Sequence, residues 1–422
     1  MTKKLSRPTD DELALRWVEN EESAGRKWIH AGTWRTYNEG VWELADKGYI
    51  EHSIQDVIIE AKAEGVRPTR NLVNSVTGMA KNALWFAADK LDSNPDLLVT
   101  KNGTLDMVER ELGPHSPKHY MTQKVHYNYE PKAEAPHFQL ALHDAIKGDQ
   151  QIKEFLQEFA GYCLTTETKH ETAVWLCGPP GSGKSTILEG FIAMAGDMST
   201  TLGLAHFENS KYTFGDMEGK RVLISTEQPS AHMKASSILN AIISGELIKI
   251  EQKYIDPYDI RPHAKILWAM NNLPKVTKAN DGIFRRIKIV EFEAIPKEKQ
   301  EPAIKEEIKN EGPGILNWAL DGLDRLRENN GFTIPDTVLE RTEEYQETAD
   351  TPKAFLDEIC EYGDGYEVKS SILYAAYKNW AERNSHGVQA SNNIVEDWRR
   401  LGLKRKKKMD GNYWEGVKIK DR

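Results

Sequence analysis

The sequence predicts an α/β fold with a parallel sheet as its central element. Between about residue 168 and residue 295, short apolar runs typical of buried strands alternate with segments of helical periodicity. A glycine-rich turn follows one of these runs directly. The chain has 422 residues, which is more than one ordinary core holds, so two to three domains are expected.

The glycine-rich turn fits the phosphate-binding pattern G-x-x-x-x-G-K-[ST]. A strand-like segment, residues 172–177, precedes the turn, and residues 187–194 behind it have helical periodicity. A strand, a glycine turn and a helix in this order direct backbone N–H groups and a positive helix end at a phosphate chain. The nine residues of the turn are Gly178, Pro179, Pro180, Gly181, Ser182, Gly183, Lys184, Ser185 and Thr186.

This turn predicts a site for ATP and Mg²⁺. Lys184 would neutralise the β- and γ-phosphates, and the Ser185 hydroxyl would hold the metal ion. The alternative is a glycine-rich turn that binds nothing. The correct flanking segments and the intact Gly-Lys-Ser sequence favour the nucleotide.

The composition is that of a soluble globular protein, with 39% hydrophobic and 29% charged residues. No apolar run approaches the length needed to span a membrane, and the first ten residues lack the apolar stretch of a secretory signal. Cys163, Cys177 and Cys360 are too far apart to form a metal-ligand pattern. A reducing cytoplasm is therefore the expected compartment.

The net charge of −9 argues against a surface covered with nucleic-acid-binding groups, but it allows a local basic site. Basic residues cluster at one place, Lys404, Arg405, Lys406, Lys407 and Lys408. Taken alone, such a run is more often a solvated segment than a binding site.

Two strand ends after the glycine-rich turn carry candidate catalytic groups. Residues 220–227 form an apolar strand that ends in Glu227, a carboxylate able to polarise attacking water or to complete the Mg²⁺ shell. Residues 265–274 contain a second buried strand with Asn271 at its tip, where an amide can orient water against a γ-phosphate. The alternatives are a surface glutamate and an ordinary Asn-Asn turn.

The pair Arg285 and Arg286 precedes another apolar strand. Paired arginines at such a position are usually surface charges. In a ring ATPase, however, one of them can reach the nucleotide of the neighbouring subunit and stabilise charge as the γ-phosphate leaves.

In this order the motifs resemble the superfamily 3 helicases, specifically the helicase half of phage and plasmid primase–helicases. The family pattern is a phosphate loop, a strand ending in Glu, a β-hairpin, a strand ending in Asn and an Arg-Arg-Ile strand. The resemblance implies a P-loop, AAA+-like superfamily 3 ATPase core at residues 166–330. It also implies assembly of a homo-hexamer.

The family's β-hairpin corresponds to residues 245–258, in which apolar residues alternate with polar ones and an Asp256-Pro257 turn is expected. In the family this hairpin projects into the central channel of the ring, where a lysine grips one DNA strand. The resemblance makes Lys253 the main candidate for DNA binding, with Tyr254 and Lys249 nearby. The alternative is an ordinary exposed strand lysine.

The likeness extends to both flanks of the core. Residues 101–106 and 155–165 resemble the domain that precedes the motor in phage and poxvirus primase–helicases, which implies an α-rich N-terminal domain at residues 1–165. Its Trp28, Trp34, Tyr37 and Trp42 predict short strands around a small hydrophobic core rather than base-stacking sites.

The C-terminal unit, residues 350–422, resembles the winged-helix tail of the same family. The basic run of residues 404–408 would then lie at or next to the wing, where Lys404, Arg405 and Lys406 could bind phosphates. Residues 331–351, with their proline-containing sequence, predict a linker before this unit.

Two features depart from the family pattern. Thr226 stands where many members have a second acidic residue before Glu227, so one carboxylate would serve both the Mg²⁺ shell and water activation. No apolar strand near the N-terminus carries an Asp-x-Asp metal pair, which two-metal primer synthesis needs. The sequence therefore predicts no primase activity.

The expected function is an ATP-driven DNA helicase of phage, prophage or plasmid replication, in the cytoplasm of a bacterial host. Its expected partners are single-stranded and forked DNA, five further copies of itself and a separate primase or polymerase, with no membrane. The resemblance implies 3′-to-5′ movement. Three alternatives remain: a ring ATPase that loads or remodels at an origin, a small-molecule or nucleoside kinase, and a non-catalytic DNA-binding protein.

Overall fold

The computed structural model describes residues 7–209, 212–226, 232–233, 236–252, 255–276, 281–300, 303–384 and 388–420. Within these residues, the first part of the chain combines three helices with two small antiparallel sheets. Its elements in order are α1 (Asp10–Ser23), β1 (Trp28–Ala31), β2 (Thr33–Asn38), β3 (Val41–Leu44), α2 (Lys47–Glu60), α3 (Arg70–Ala83), β4 (Leu97–Thr100), β5 (Gly103–Asp106) and β6 (Glu111–Gly113).

The aromatic residues of this first part form a core, as predicted. Trp17, Trp28 and Trp34 are buried among the helices α1–α3, and Trp17 donates its indole N–H to Ser53 Oγ at 2.9 Å. Trp42 is buried on the other side of the β1–β3 sheet. These rings stabilise the fold by burial and aromatic contact, so they offer no exposed stacking surface.

The central part of the described chain follows with alternating helices and strands. Its elements are α4 (Pro136–Ala145), α5 (Gln150–Leu164), β7 (Ala173–Cys177), α6 (Lys184–Ala195), β8 (Ser199–Thr201), α7 (Leu204–Asn209), β9 (Val222–Ser225), β10 (His232–Met233), α8 (Ser236–Ser244), β11 (Ile248–Gln252), β12 (Ile255–Ile260), β13 (Lys265–Met270), β14 (Lys275–Val276), α9 (Asp281–Phe284), β15 (Ile287–Glu291), α10 (Ile304–Lys309), α11 (Gly312–Glu328) and α12 (Asp336–Ala349).

A five-stranded parallel sheet with the order β15-β7-β13-β9-β8 lies at the centre of this part. Side chains of β7 alternate between two hydrophobic cores: Val174 and Leu176 face one, while Trp175 faces the other beside Trp268 of β13. Both faces of the sheet are therefore covered, as a parallel sheet requires. The predicted α/β fold is confirmed.

Helix α5 lies in the same core as the helices that follow the sheet. A Cβ atom on Gly161 of α5 would come within 2.5 Å of the Ala319 carbonyl oxygen of α11. On Gly322 of α11 it would come within 2.1 Å of the Gln157 carbonyl oxygen. The two helix backbones meet at these glycines, so the hydrophobic core runs across residue 165, the predicted end of the N-terminal domain.

The interpretation of residues 331–351 as a linker is wrong. Residues 336–349 form α12, which packs on β15, with Val338 and Tyr345 buried. Thr342 accepts a hydrogen bond from the backbone N–H of Ile289 at 3.2 Å, and Tyr345 donates to the Pro274 carbonyl at 2.6 Å. Pro335 and Pro352 suggested a turn, but Pro335 is the N-cap residue of α12 and Pro352 lies in the first turn of the helix that begins at Thr351, where a missing N–H costs nothing.

The C-terminal unit has the winged-helix order of elements and a hydrophobic core of its own, which includes Trp398 and Trp414. Its sheet order is β16-β18-β17, with antiparallel pairing throughout. The elements are α13 (Thr351–Ile359), β16 (Cys360–Lys369), α14 (Ser370–Arg383), α15 (Ser391–Arg400), β17 (Lys404–Lys408) and β18 (Gly411–Ile419).

Buried basic side chains lie at the amino edge of the central sheet, where its strands begin. Arg221 donates to the Leu164 and Leu97 carbonyls, and Lys265 donates to the Thr165 carbonyl at 2.5 Å. His263 Nδ1 lies 2.9 Å from the Thr166 carbonyl oxygen. These bonds join the end of α5, and Leu97 of β4, to the sheet.

His263 makes stability depend on pH. Burial, reinforced by the nearby charges of Lys265 and Arg221, lowers the pKa of His263 from 6.5 to about 4. The unfolded chain therefore binds a proton more readily than the folded chain does. The free energy of unfolding should fall as pH decreases from 6.5 through 4, by about 3 kcal/mol from this group. Denaturant titrations across that range measure it.

The matched control is His52, whose side chain is 76% exposed. His263→Asn should flatten the pH dependence between 4 and 6.5, whereas His52→Asn should leave it unchanged. An equal slope in wild type and His263→Asn would contradict the assignment.

Candidate nucleotide site and nucleic-acid interface

The phosphate-binding turn connects the carboxyl end of β7 to the start of α6, as the sequence predicts. Gly183 has a positive φ of 84°, a backbone conformation that glycine adopts without strain. A Cβ atom there would lie 2.9 Å from the Ala145 Cβ and 3.1 Å from the Ile295 Cδ1. Both the conformation and the close approach therefore require glycine at this position.

Lys184 lies at the first position of α6, with only 6% of the residue exposed. Its Nζ donates hydrogen bonds to the Gly178 carbonyl at 2.7 Å, the Pro179 carbonyl at 2.9 Å and Ser182 Oγ at 3.0 Å. Burial lowers the pKa of Lys184. A desolvated ammonium beside a helix N-terminus favours binding of an anion that restores its charge partner.

A cavity of about 520 Å³ opens over this turn. Five of the predicted polar positions line it together: Ser182, Lys184, Ser185, Thr186 and Asn271. Thr226, the residue before Glu227, lines it as well. Glu227 itself lies outside the described residues. The size suits a small-molecule ligand, and the donor set of ammonium, hydroxyl and amide suits a phosphate chain with a hard cation.

The remaining wall of this cavity is built by residues that sequence reasoning missed. They come from α4, just before the sheet, and from the segment after β15. The helical period of α4 was recognisable, but nothing in the sequence indicates that its exposed side faces the phosphate-binding turn. The residues are Leu140, Ala141, Asp144, Ile295, Gln300, Ile304 and Lys305.

Arg341 of α12 was missed for a different reason, because its segment was interpreted as a linker. It lines a second cavity of about 450 Å³, together with Pro179, Pro180 and Asn271. Its Nε is buried and has no hydrogen-bond partner among the described residues. Glu291 Oε2 lies 3.4 Å from this Nε, so the two side chains form an ion pair without a hydrogen bond at Nε.

Arg285 and Arg286 lie at the amino edge of the sheet, opposite the phosphate-binding turn. The Arg286 carbonyl accepts from the N–H of Ala173, the first residue of β7. A five-residue strand is about 16 Å long, so neither arginine reaches the cavity of its own chain. The Arg286 side chain is 9% exposed and 2.7 Å from Glu171, whereas that of Arg285 is 69% exposed.

The predicted hairpin is present, but its turn is not at Asp256-Pro257. Strands β11 and β12 pair antiparallel, and both residues belong to β12. The described pairing ends at Gln252 and Ile255, and Lys253 and Tyr254 lie outside the described residues. Lys249 is an exposed residue of β11 and pairs with Asp259. Alternation of apolar residues predicted the strands, and the Asp-Pro sequence misplaced the turn.

The basic run of residues 404–408 forms β17, the first strand of the wing. Lys404, Arg405 and Lys406 are exposed. Arg405 lies over the ring of Trp414, with its Cζ 5.9 Å from the ring centroid, and Lys406 pairs with Glu415 at 2.8 Å. The run is therefore an ordered basic edge strand rather than a solvated tail.

Two family models match the chain. Residues 16–147 match a family described as D5 N terminal like. Residues 176–286, which include the phosphate-binding turn and both arginines, match a family of unknown function, DUF5906.

Viral proteins are among the relatives. A protein of Acanthamoeba polyphaga mimivirus named as a putative helicase is 21% identical over 327 residues, covering 70% of this chain and 34% of that protein. A protein of Invertebrate iridescent virus 3 with the same description is 23% identical over 351 residues, covering 73% and 37%. The chain spans about a third of the length of these curated relatives.

Solved structures share the fold. The A form of the apo NrS-1 C-terminal region superimposes with a TM-score of 0.54 at 12% identity, covering 94% of this chain and 97% of that one. A second apo structure of this region gives a TM-score of 0.51 at 11% identity, covering 96% and 99%. Among the described residues, no helix has the length and apolarity needed to cross a bilayer.

Proposed function

Because the chain belongs to the phage- and virus-type family of superfamily 3 primase–helicase-like proteins, we propose that this helicase-like replication protein is an ATP-dependent DNA helicase that works as a hexameric ring. The observation that carries the proposal is the convergence of Lys184, Ser185 and Asn271 on one cavity. Arg285 lies exposed at the opposite edge of the same sheet.

The substrate of the proposed reaction is Mg²⁺–ATP. Lys184 would hold the β- and γ-phosphates, and Ser185 would contribute its hydroxyl to the magnesium shell. Asn271 would orient the attacking water, with Glu227 as the group that activates it. Leu140 and its neighbours give the cavity an apolar end that suits a nucleobase.

The position of the arginine pair supports the proposed ring. Since neither arginine reaches its own chain's cavity, either can serve catalysis only at a neighbour's site. Arg285 is the better candidate for this role, because Arg286 is buried and held by Glu171 and by the Gly282 carbonyl at 2.7 Å. A side chain already committed to two partners is a poor donor to a ligand.

DNA would contact two basic elements. The first is the β11–β12 hairpin, with Lys249, Lys253 and Tyr254 as candidate ligands of one strand in the ring's channel. The second is the wing, where Lys404, Arg405 and Lys406 would bind phosphates without reading sequence. A separate primase or polymerase would supply synthesis, in the cytoplasm of a bacterial host.

A strand-displacement assay on a forked DNA tests the proposal. Wild-type protein with Mg²⁺ and ATP should release the displaced strand, and single-stranded DNA should stimulate ATP hydrolysis. Release should fail with a non-hydrolysable ATP analogue. DNA-stimulated hydrolysis without displacement would favour a loader, and hydrolysis indifferent to DNA would favour a kinase.

A further inference from the structure

Three polar side chains connect the β11–β12 hairpin to the N-terminal β1–β3 sheet. Tyr258 of β12 donates its hydroxyl to Glu218 Oε2 at 2.8 Å. Arg35 of β2 donates from Nη2 to Glu218 Oε1 at 2.5 Å and from Nη1 to the Trp42 carbonyl at 3.1 Å. Glu218 lies between α7 and β9, so one carboxylate joins three elements that are distant in sequence.

These bonds are shielded from water. The Arg35 side chain is 4% exposed and that of Glu218 is 21% exposed. Burial, reinforced by the Glu218 charge, raises the pKa of the Tyr258 hydroxyl, which therefore stays a donor. Charge-assisted hydrogen bonds in such a setting are stronger than exposed ones. Moving the hairpin base away from the N-terminal sheet would break them.

The hairpin side and the N-terminal sheet are not closely packed against each other around these bonds. A cavity of about 470 Å³ lies there, lined by Arg35 and Glu43 on the N-terminal side and by Asp216 and Glu218 on the ATPase side. Where a cavity separates two parts, directed polar contacts carry more of the connection than apolar contact does.

The link lies close to a candidate DNA contact. Tyr258 pairs with Ile250 in the hairpin ladder, and the next pair in the ladder is Lys249 with Asp259. Lys249 is thus one step along the strand from the residue opposite Tyr258. If bound DNA displaced Lys249, the adjacent pair of Ile250 and Tyr258 would move with it, and so would the Tyr258 hydroxyl.

We infer that Glu218 is a positioning residue that couples the hairpin to the N-terminal sheet, so that DNA held by the hairpin and the position of this sheet influence each other. The inference rests on the proposed function for the statement that the hairpin holds DNA. The physical link itself does not depend on it.

Tyr258→Phe tests the link, because it removes one hydroxyl and leaves the ring. The single-stranded DNA concentration for half-maximal ATPase stimulation should rise about tenfold, the usual scale for losing a hydrogen bond to a charged group. DNA-independent hydrolysis and the KM for ATP should stay within about twofold of wild type. The control is Tyr37→Phe, since the buried Tyr37 hydroxyl of β2 has no hydrogen-bond partner in the described part of the chain.

Hydrogen–deuterium exchange gives a second readout that needs no DNA. Tyr258→Phe should speed exchange in β11–β12 and in β2–β3 together, whereas a merely local role would affect β12 alone. If wild type shows no DNA-stimulated hydrolysis, the proposed function fails and the exchange experiment still decides the link. Unchanged exchange in β2–β3, or unchanged DNA dependence in an enzyme that responds to DNA, would overturn the inference.

Discussion

Replacing Lys184 by alanine should lower kcat for ATP hydrolysis by about two to three orders of magnitude, the usual cost of removing a preorganised group that stabilises transition-state charge. The loss should come without unfolding, because all three hydrogen bonds of Nζ are made to acceptors within the turn itself. Steady-state hydrolysis with single-stranded DNA measures the first effect, and thermal denaturation measures the second.

Lys305→Ala is the matched control for this experiment. Lys305 belongs to α10 and lines the same cavity, but it is not part of the phosphate-binding turn. Its removal should change kcat by less than about threefold, within the range of surface substitutions. If Lys184→Ala hydrolysed ATP at the wild-type rate, the assignment of this cavity as the catalytic site would be wrong.

Replacing Arg285 by alanine should lower kcat by about three orders of magnitude or more while leaving stability unchanged, because an arginine finger acts only on the transition state. Arg286→Ala should instead lower the free energy of unfolding by about 2 kcal/mol, since it removes the ion pair of a buried arginine with Glu171 and a part-buried hydrogen bond to the Gly282 carbonyl. The two neighbouring arginines thus serve as controls for each other.

Mixing two inactive variants distinguishes action between subunits from action within one. In a ring that contains Lys184→Ala and Arg285→Ala subunits, some interfaces combine an intact lysine with an intact arginine. Hydrolysis should therefore reappear in the mixture. A mixture as inactive as its components, although it assembles with wild-type mass, would rule out the arginine as a finger in trans.

Periodicity and motif spacing were sufficient to predict the helices and strands around the phosphate-binding turn. The apolar run before Gly178 is β7, the helical run after it is α6, and Asn271 follows β13. Each of these features is local, because a buried strand or a helix imposes its own pattern on consecutive residues. The basic run likewise lies at the wing, as the resemblance implied.

Features set by distant contacts were not predictable in this way. Pro335 and Pro352 suggested a linker, yet residues 336–349 form a helix that packs on β15. This packing places Arg341 in the wall of the same cavity as Asn271. Asp256-Pro257 has turn chemistry, but pairing with β11 keeps both residues in a strand. Arg286 rather than Arg285 is buried because it pairs with Glu171, a residue that precedes β7 and is distant in sequence.

The close approach of α5 and α11 at Gly161 and Gly322 has a consequence for biosynthesis. One half of this contact is translated well before the phosphate-binding turn and the other half well after it. The side of the sheet that faces α5 cannot be fully buried until the ribosome has released α11, so the nucleotide pocket is completed only after that helix has been translated. A fragment trimmed to residues 166–330 would lack Phe155 and Phe159. The apolar side chains that pack against them in the hydrophobic core would then be exposed to solvent.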